Sequence, residues 1–175
     1  MAWYLGLVAV VVVARFVELG VAQRHLAWAR ERGGVETGAG HYPYMVALHS
    51  ALLAGCVVEV LVADRPFLPW LGWPMLGLLL AAHALRWWCI RTLGPQWNTR
   101  VIRVPGQPLV TGGPYRWLRH PNYVAVVAEG VALPLVHTNW VTATAFTLAN
   151  LVLLRVRIRV EEAALATAPS PPSRA

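Results

Sequence analysis

The sequence predicts an all-α integral membrane protein of about five transmembrane helices, the last two forming a helical hairpin. Three observations carry that expectation. Of 175 residues, 57% are hydrophobic and only 13% are charged, against about a quarter charged in soluble domains. The apolar residues gather into runs, and a bilayer needs roughly 20 residues per helical span. The basic residues fall in alternate connecting segments, the asymmetry of a multi-pass protein.

The first run, Ala2 to Ala22, carries no charge before Arg15 and Glu18. The N-terminus has no basic stretch ahead of it, so no cleaved signal peptide is expected. The segment Gln23 to Pro43 is rich in Arg and Gly. It reads as a loop after a short helical start, marked by Gly33-Gly34 and Gly38-Ala-Gly40. The second run, Tyr44 to Ala63, holds His49 and Glu59, and Asp64-Arg-Pro66 makes a turn. The third, Pro69 to Ile90, has Trp70 and Trp73 at one end and Trp87 and Trp88 at the other, the aromatic belts of a spanning helix.

A long loop, Arg91 to Pro121, precedes two shorter runs, Tyr123 to Val136 and Trp140 to Leu154. Pro121 suits a first helical turn, where its missing N–H costs nothing. The last helix can continue into the Arg-rich segment beyond Leu154. The expected spans are therefore 2–22, 44–63, 69–90, 122–136 and 140–160, within one domain covering 1–167. The Pro- and Ser-rich end, 168–175, reads as a disordered tail.

Net charge is +7, all of the basic residues being Arg. In a soluble protein this would raise nucleic acid as a partner; between apolar runs it reads as membrane topology, with the lipid bilayer as partner and no nucleic acid. Arg24, Arg30 and Arg32 lie in the first loop. Arg91, Arg100, Arg103, Arg116 and Arg119 lie in the third, and Arg155, Arg157 and Arg159 at the last span's end. That pattern predicts a cell-membrane protein with its N-terminus outside and its C-terminus cytoplasmic. Cys56 and Cys89 form no C-x-x-C pair, so neither a metal site nor a disulfide framework is expected. No P-loop, H-E-x-x-H or G-x-G-x-x-G after a strand is present, which disfavours a soluble nucleotide-binding domain.

Two polar clusters fall on the same predicted side. In Gln107 to Tyr123, prolines and glycines deny regular helix and leave backbone groups free for a ligand. Tyr115 and Trp117 offer rings to a flat base; Arg119 and His120 offer charge or hydrogen bonds to a carboxylate. A positively charged loop with interfacial aromatics is the plainer reading of the same residues. In Arg155 to Glu162, Arg157 and Glu161 share one helical face. Acids near a helix C-terminus oppose its macrodipole, and a Glu pair kept there points to a cationic partner such as a sulfonium bearing an α-ammonium group. A salt-bridged helix end is the alternative. Among the intramembrane charges, Arg15 and Glu18 can pair, Glu59 sits near the outer end of its span where it reaches water, and Glu129 is the candidate to line a cavity beside a substrate. Structural pairing is the competing reading for each.

The run Leu109-Val-Thr-Gly-Gly-Pro-Tyr-Arg-Trp-Leu-Arg-His-Pro-Asn-Tyr123, followed by Arg157-Ile-Arg-Val-Glu-Glu162, resembles the isoprenylcysteine carboxyl methyltransferase family. The N-terminal half, with Arg24-His25, Arg32-Gly-Gly and His41-Tyr-Pro-Tyr44, looks like a bacterial subgroup linked with type III polyketide synthases. The resemblance implies an enzyme using S-adenosylmethionine at a cytoplasmic loop and a C-terminal helix extension. It implies that Gln107, Pro108, Leu109, Val110 and Tyr115 surround the nucleoside and that His120, Pro121, Asn122 and Tyr123 close the site. Arg119 and Glu162 join these as cofactor contacts. Glu161 would bind the cofactor and Arg157 would face the acceptor, the pair carrying catalysis. The bacterial-subgroup resemblance implies a lipid-like polyketide pyrone or phenolic lipid as acceptor, and the loop Arg91 to Gly106, unlike that of the eukaryotic enzymes, counts against a prenylated cysteine. Two rivals stand beside this: an NADPH-dependent membrane reductase of the sterol-reductase type, which shares an R-H-P-x-Y-like motif, and an inactive membrane adaptor or transporter.

Overall fold

The structure is a computed structural model and describes residues 1–166; the expected tail, 168–175, lies outside them. Five α-helices carry the described chain: α1 (Ala2–Glu31), α2 (Tyr42–Val62), α3 (Pro69–Leu93), α4 (Pro121–Leu135) and α5 (Trp140–Ala166). Three of them, α1, α2 with the turn before it, and α5, are long and apolar enough to cross a membrane. The expected five-span picture is refined at the other two. α3 has 25 residues, but His83, Arg86 and Arg91 interrupt its apolar surface. α4 has only 15 and rises about 22 Å, short of a hydrocarbon core of about 30 Å.

α1 corrects the first loop. It runs on through Gln23 to Glu31, because Ala, Leu, Arg and Gln in that stretch are good helix formers. It stops where Gly33 adopts φ +72° and the Gly34 N–H caps Ala29 C=O at 2.8 Å, a glycine-terminated helix end. A further element had no expectation at all: β1 (Val35–Glu36) pairs antiparallel with β2 (Ile102–Arg103), Val35 opposite Arg103. This short ladder ties the first loop to the third. Pro121 opens α4 as its spacing suggests, and α5 continues through the Arg-rich segment to Ala166.

α4 lies between α3 and α5, and α2 packs on α5 with α1 beside it. The core joins Tyr4, Val8 and Val11 of α1 to Cys56 and Val60 of α2, Leu79 of α3, Leu133 of α4 and Phe146 of α5. At Gly130 the α4 backbone comes so close to the Phe146 ring that a Cβ would overlap it, the small-residue contact favoured between helices in lipid.

One end of the bundle is closed by polar contacts of the turns. The Tyr4 hydroxyl donates to Leu133 C=O at 3.0 Å, Asn139 Nδ2 donates to Cys56 C=O at 2.9 Å, and Thr138 Oγ1 donates to Pro66 C=O at 2.6 Å. Glu59 belongs to this end. It was expected to reach water, yet it is only 8% exposed. It accepts from the Thr142 N–H at 2.8 Å and the Val141 N–H at 3.2 Å, and pairs with Arg65. An anion on the first N–H groups of α5 satisfies donors that have no partner within the helix. The opposite end gathers the C-terminal turns of α1, the 94–120 loop and the last turns of α5.

Candidate active site

At that second end lies a cleft of about 650 Å³, within the usual span of roughly 300–1,000 Å³ for ligand pockets. Its floor is organised by Tyr123. Pro121 starts α4 and so fixes Asn122 and Tyr123 in the first turn. From α5, Arg157 and Glu161 stand one turn apart and project to the same side. The Tyr123 hydroxyl donates to the Glu161 carboxylate and accepts from Arg157 Nε at 2.9 Å. The His120 ring stacks on the Tyr123 ring, centroids 5.4 Å apart. Its imidazole nitrogens lie 3.8 Å from Glu161 and 3.5 Å from Glu162.

Arg157 is 5% exposed and held from three sides. Besides Tyr123, it donates to Thr99 C=O at 2.7 Å and to Met45 Sδ of α2 at 2.8 Å. Three of its five N–H donors are thus engaged among the described residues. The Gln107–Tyr123 cluster reaches the cleft through a 3-10 turn, Gly113–Arg116. Gly113 has φ +54° and packs against Thr92, where a Cβ would clash. The turn buries Pro114 and sets Tyr115 against the cleft. Burial, with the Cys89 thiol beside it, pushes the Tyr115 hydroxyl well above its ordinary pKa, so it stays a neutral phenol.

The cleft brings together Gln107, Leu109 and Val110 of the loop, Tyr115, Arg119, His120, Asn122 and Tyr123, and Arg157, Glu161 and Glu162. Three expected residues stand elsewhere. Pro108 shows its carbonyl to Gln96 Nε2 at 3.4 Å and does not line the cleft. Pro121 is buried beneath it as the start of α4. Glu129 does not line the cleft: it is held in an ion network deep in the bundle. Arg86 pairs with both of its oxygens, His83 lies 3.0 Å away and Arg15 3.2 Å away. Arg15 also pairs with Glu18 at 2.8 Å. A carboxylate in a bundle interior is stabilised by such pairing, which is why Glu129 turns inward.

The cleft also contains residues that sequence reasoning missed. Its far wall is the segment Trp97 to Val104 together with His25 and Ala29 of α1. His25 Nδ1 lies 2.8 Å from Trp97 C=O and Asn98 Nδ2 donates to Ala22 C=O at 3.0 Å, so the extended α1 anchors that wall. The Arg103 guanidinium closes the end by donating to Ala164 C=O at 3.0 Å.

Asn122 Oδ1 and Trp97 Nε1 are buried without a hydrogen-bond partner among the described residues. Buried polar groups are normally paired, and both of these residues belong to the wall of the cleft. The Glu161 and Glu162 carboxylates and the Arg119 guanidinium all line the cleft, so it presents both signs of charge to a ligand.

Long apolar helices holding a polar cleft of mixed charge at one end describe a membrane protein with a candidate ligand site. The chain belongs to the isoprenylcysteine carboxyl methyltransferase (ICMT) family, which matches residues 75–167, and so stands among the membrane methyltransferases. It is 38% identical to an uncharacterized Bacillus subtilis protein, YpbQ, over 91% of this chain and 94% of that one. It is 25% identical to an uncharacterized Haemophilus influenzae protein over 90% of this chain and 91% of that one. A Tribolium castaneum protein-S-isoprenylcysteine O-methyltransferase is 32% identical over 55% of this chain and 35% of its own length.

Proposed function

We propose that the protein is an S-adenosylmethionine-dependent O-methyltransferase, acting on a carboxylate or acidic hydroxyl of a lipid-like acceptor at the cytoplasmic face of the cell membrane. The observation that carries the reading is the Tyr123 hydroxyl, which joins a carboxylate, Glu161, to a buried cation, Arg157, inside one cleft. S-adenosylmethionine, when bound, supplies an electrophilic methyl group on a sulfonium. Glu161 and Glu162 offset the positive charge of such a ligand, and Arg119 and His120 serve its carboxylate. Tyr115 gives a ring face to the base, and the loop of Gln107, Leu109 and Val110 gives backbone groups to the nucleoside.

Arg157 has the opposite task. Its guanidinium is fixed by Tyr123, Thr99 and Met45, and its remaining donors hold an acceptor oxyanion at a set position. A carboxylate or an acidic enol arrives already charged, so no side chain has to remove a proton; a phenol must also lose its proton to water, with Arg157 stabilising the oxyanion. The chain's work is positioning and exclusion of water. A phenolic or pyrone lipid is favoured over prenylcysteine on the resemblance of the N-terminal half to the bacterial subgroup linked with type III polyketide synthases.

Calorimetry on the purified protein in detergent tests the cofactor. S-adenosylhomocysteine is expected to bind, and Glu161→Gln to weaken it at least tenfold. Binding of NADPH without S-adenosylhomocysteine would make the protein a reductase instead. Membranes given labelled S-adenosylmethionine are expected to place label in extractable lipid; label in protein alone would return prenylcysteine as acceptor.

A further inference from the structure

The chain around the 3-10 turn Gly113–Arg116 has two sides. Tyr115 lines the cleft, whereas Trp117, whose ring the sequence offers to a flat base, does not. Trp117 is 67% exposed and sets its ring against Trp88 of α3, centroids 5.8 Å apart. The Arg116 guanidinium lies over the same Trp117 ring at 5.4 Å, and Leu118 is exposed next in the chain. Trp88 and Arg91 stand three residues apart on α3 and so share a face, and both are exposed. Two indole rings, a leucine and two guanidinium groups therefore make one patch on the outer side of the turn.

The depth of this patch follows from α3. Trp70 and Trp88 are both exposed on that helix and stand 18 residues apart, about 27 Å along its axis. A hydrocarbon core measures about 30 Å, and tryptophans gather at both of its edges. Trp88, with Trp117 against it, is thereby set at the headgroup level on the cleft side, and Arg91 lies one turn nearer the water. The arginine ion pairs among the described residues are made by Arg15, Arg32, Arg65, Arg86 and Arg100. Arg91 and Arg116 have no carboxylate partner there. Apolar rings at the boundary with unpaired cations beside them complement an anionic lipid surface.

The turn carries that contact to the cleft. The N–H groups of Trp117 and Leu118 both donate to Pro114 C=O, at 3.2 and 3.1 Å. Pro114 is buried, and Gly113 is wedged against Thr92. A ligand that holds Trp117 in place holds Tyr115 as well, two residues before it.

We propose that this patch binds the headgroups of anionic phospholipids in the leaflet on the cleft side, and that this docking fixes Tyr115 and tightens the cofactor site. Trp117 and Leu118 sit at the acyl boundary, and Arg91 and Arg116 meet the phosphates. The docking stands on the patch alone, while the tightening rests on the methyl-transfer reading. The coupling is reciprocal: bound cofactor raises the affinity for lipid by the factor that lipid raises the affinity for cofactor.

The test uses the full chain in nanodiscs of phosphatidylcholine, alone or with one third phosphatidylglycerol. Hydrogen exchange read by mass spectrometry follows the amides of residues 112–119 without any cofactor. Phosphatidylglycerol is expected to slow that exchange at least fivefold, roughly the preference of one basic residue for an anionic surface. The double variant Arg91→Gln, Arg116→Gln should lose the slowing, and Arg116→Gln alone serves should the pair fold poorly. Calorimetry in the same discs should find S-adenosylhomocysteine bound about threefold tighter with phosphatidylglycerol, a gain absent from the variants. Exchange indifferent to phosphatidylglycerol, or slowed equally in the folded variants, overturns the docking. Equal slowing by soluble glycerol phosphate over phosphatidylcholine discs overturns it too, by making the patch a site for free phosphate. Slowed exchange with unchanged cofactor affinity overturns the coupling. S-adenosylhomocysteine binding in neither disc removes the methyl-transfer reading and leaves the exchange result to judge the docking.

Discussion

Tyr123 is the residue on which the site turns, since one hydroxyl serves both an anion and a cation. Hydrogen bonds to charged groups are worth about 1.5–3 kcal/mol, so Tyr123→Phe is expected to lower kcat/KM by roughly tenfold to a hundredfold. Steady-state kinetics with labelled cofactor would read it, and an unchanged kcat/KM would remove Tyr123 from the machinery. Arg157→Lys makes a sharper distinction. An ammonium has three donors on one point and cannot reach Tyr123, Thr99 and Met45 together as the guanidinium does. Acceptor turnover should fall at least tenfold while S-adenosylhomocysteine affinity stays within about twofold, an outcome that separates an acceptor-side role from a cofactor-side one. The residues named in these tests were legible in the sequence, because Gly, Pro, Arg, His and Glu dense between apolar runs have few other uses. His25, Trp97 and Asn98 were not. They meet across more than seventy positions of chain, and no local pattern announces a contact of that kind.

Among the elements, α3 and α4 show how burial decides a charge's role. Glu129 pairs with Arg86, which is almost wholly buried, so removing the carboxylate leaves a buried cation without its main partner. Breaking such a pair costs about 3–5 kcal/mol. Glu129→Ala should therefore lower thermal stability in detergent strongly, and Glu129→Gln less, while the surviving folded fraction keeps its S-adenosylhomocysteine affinity. A stable Glu129→Ala protein without acceptor turnover would instead return Glu129 to the substrate. The contact of α4 with α5 at Gly130 gives a second stability test: Gly130→Ala puts a methyl into the Phe146 ring and should cost about 1–3 kcal/mol. The helices themselves were readable from apolar runs, with Pro121 giving the start of α4. The extension of α1 was not, since glycines at 33 and 34 drew the eye to a loop whose first residues are good helix formers. Nor was the β1–β2 pair, where two residues per strand are too few for a period-2 pattern.

For the whole molecule, the arrangement of the two ends turns a charge count into a topology. The cleft end gathers Arg24, Arg30 and Arg32, the arginines of the 91–119 stretch, and Arg155, Arg157 and Arg159; the far end has Arg65 beside Asp64. Loops rich in Arg stay in the cytoplasm, and the charged cofactor proposed for the cleft cannot cross the bilayer unaided, so the cleft is expected to face inward. Cys56 and Cys89 are buried, which leaves the background low for cysteine labelling. Ala63→Cys, exposed at the far end, should react with a membrane-impermeant maleimide in intact cells. Arg116→Cys, exposed beside the cleft, should react only after permeabilisation. The reverse pattern would place the cleft outside, and with it would fall S-adenosylmethionine as the cofactor, since the cleft would then open away from the compartment that supplies it.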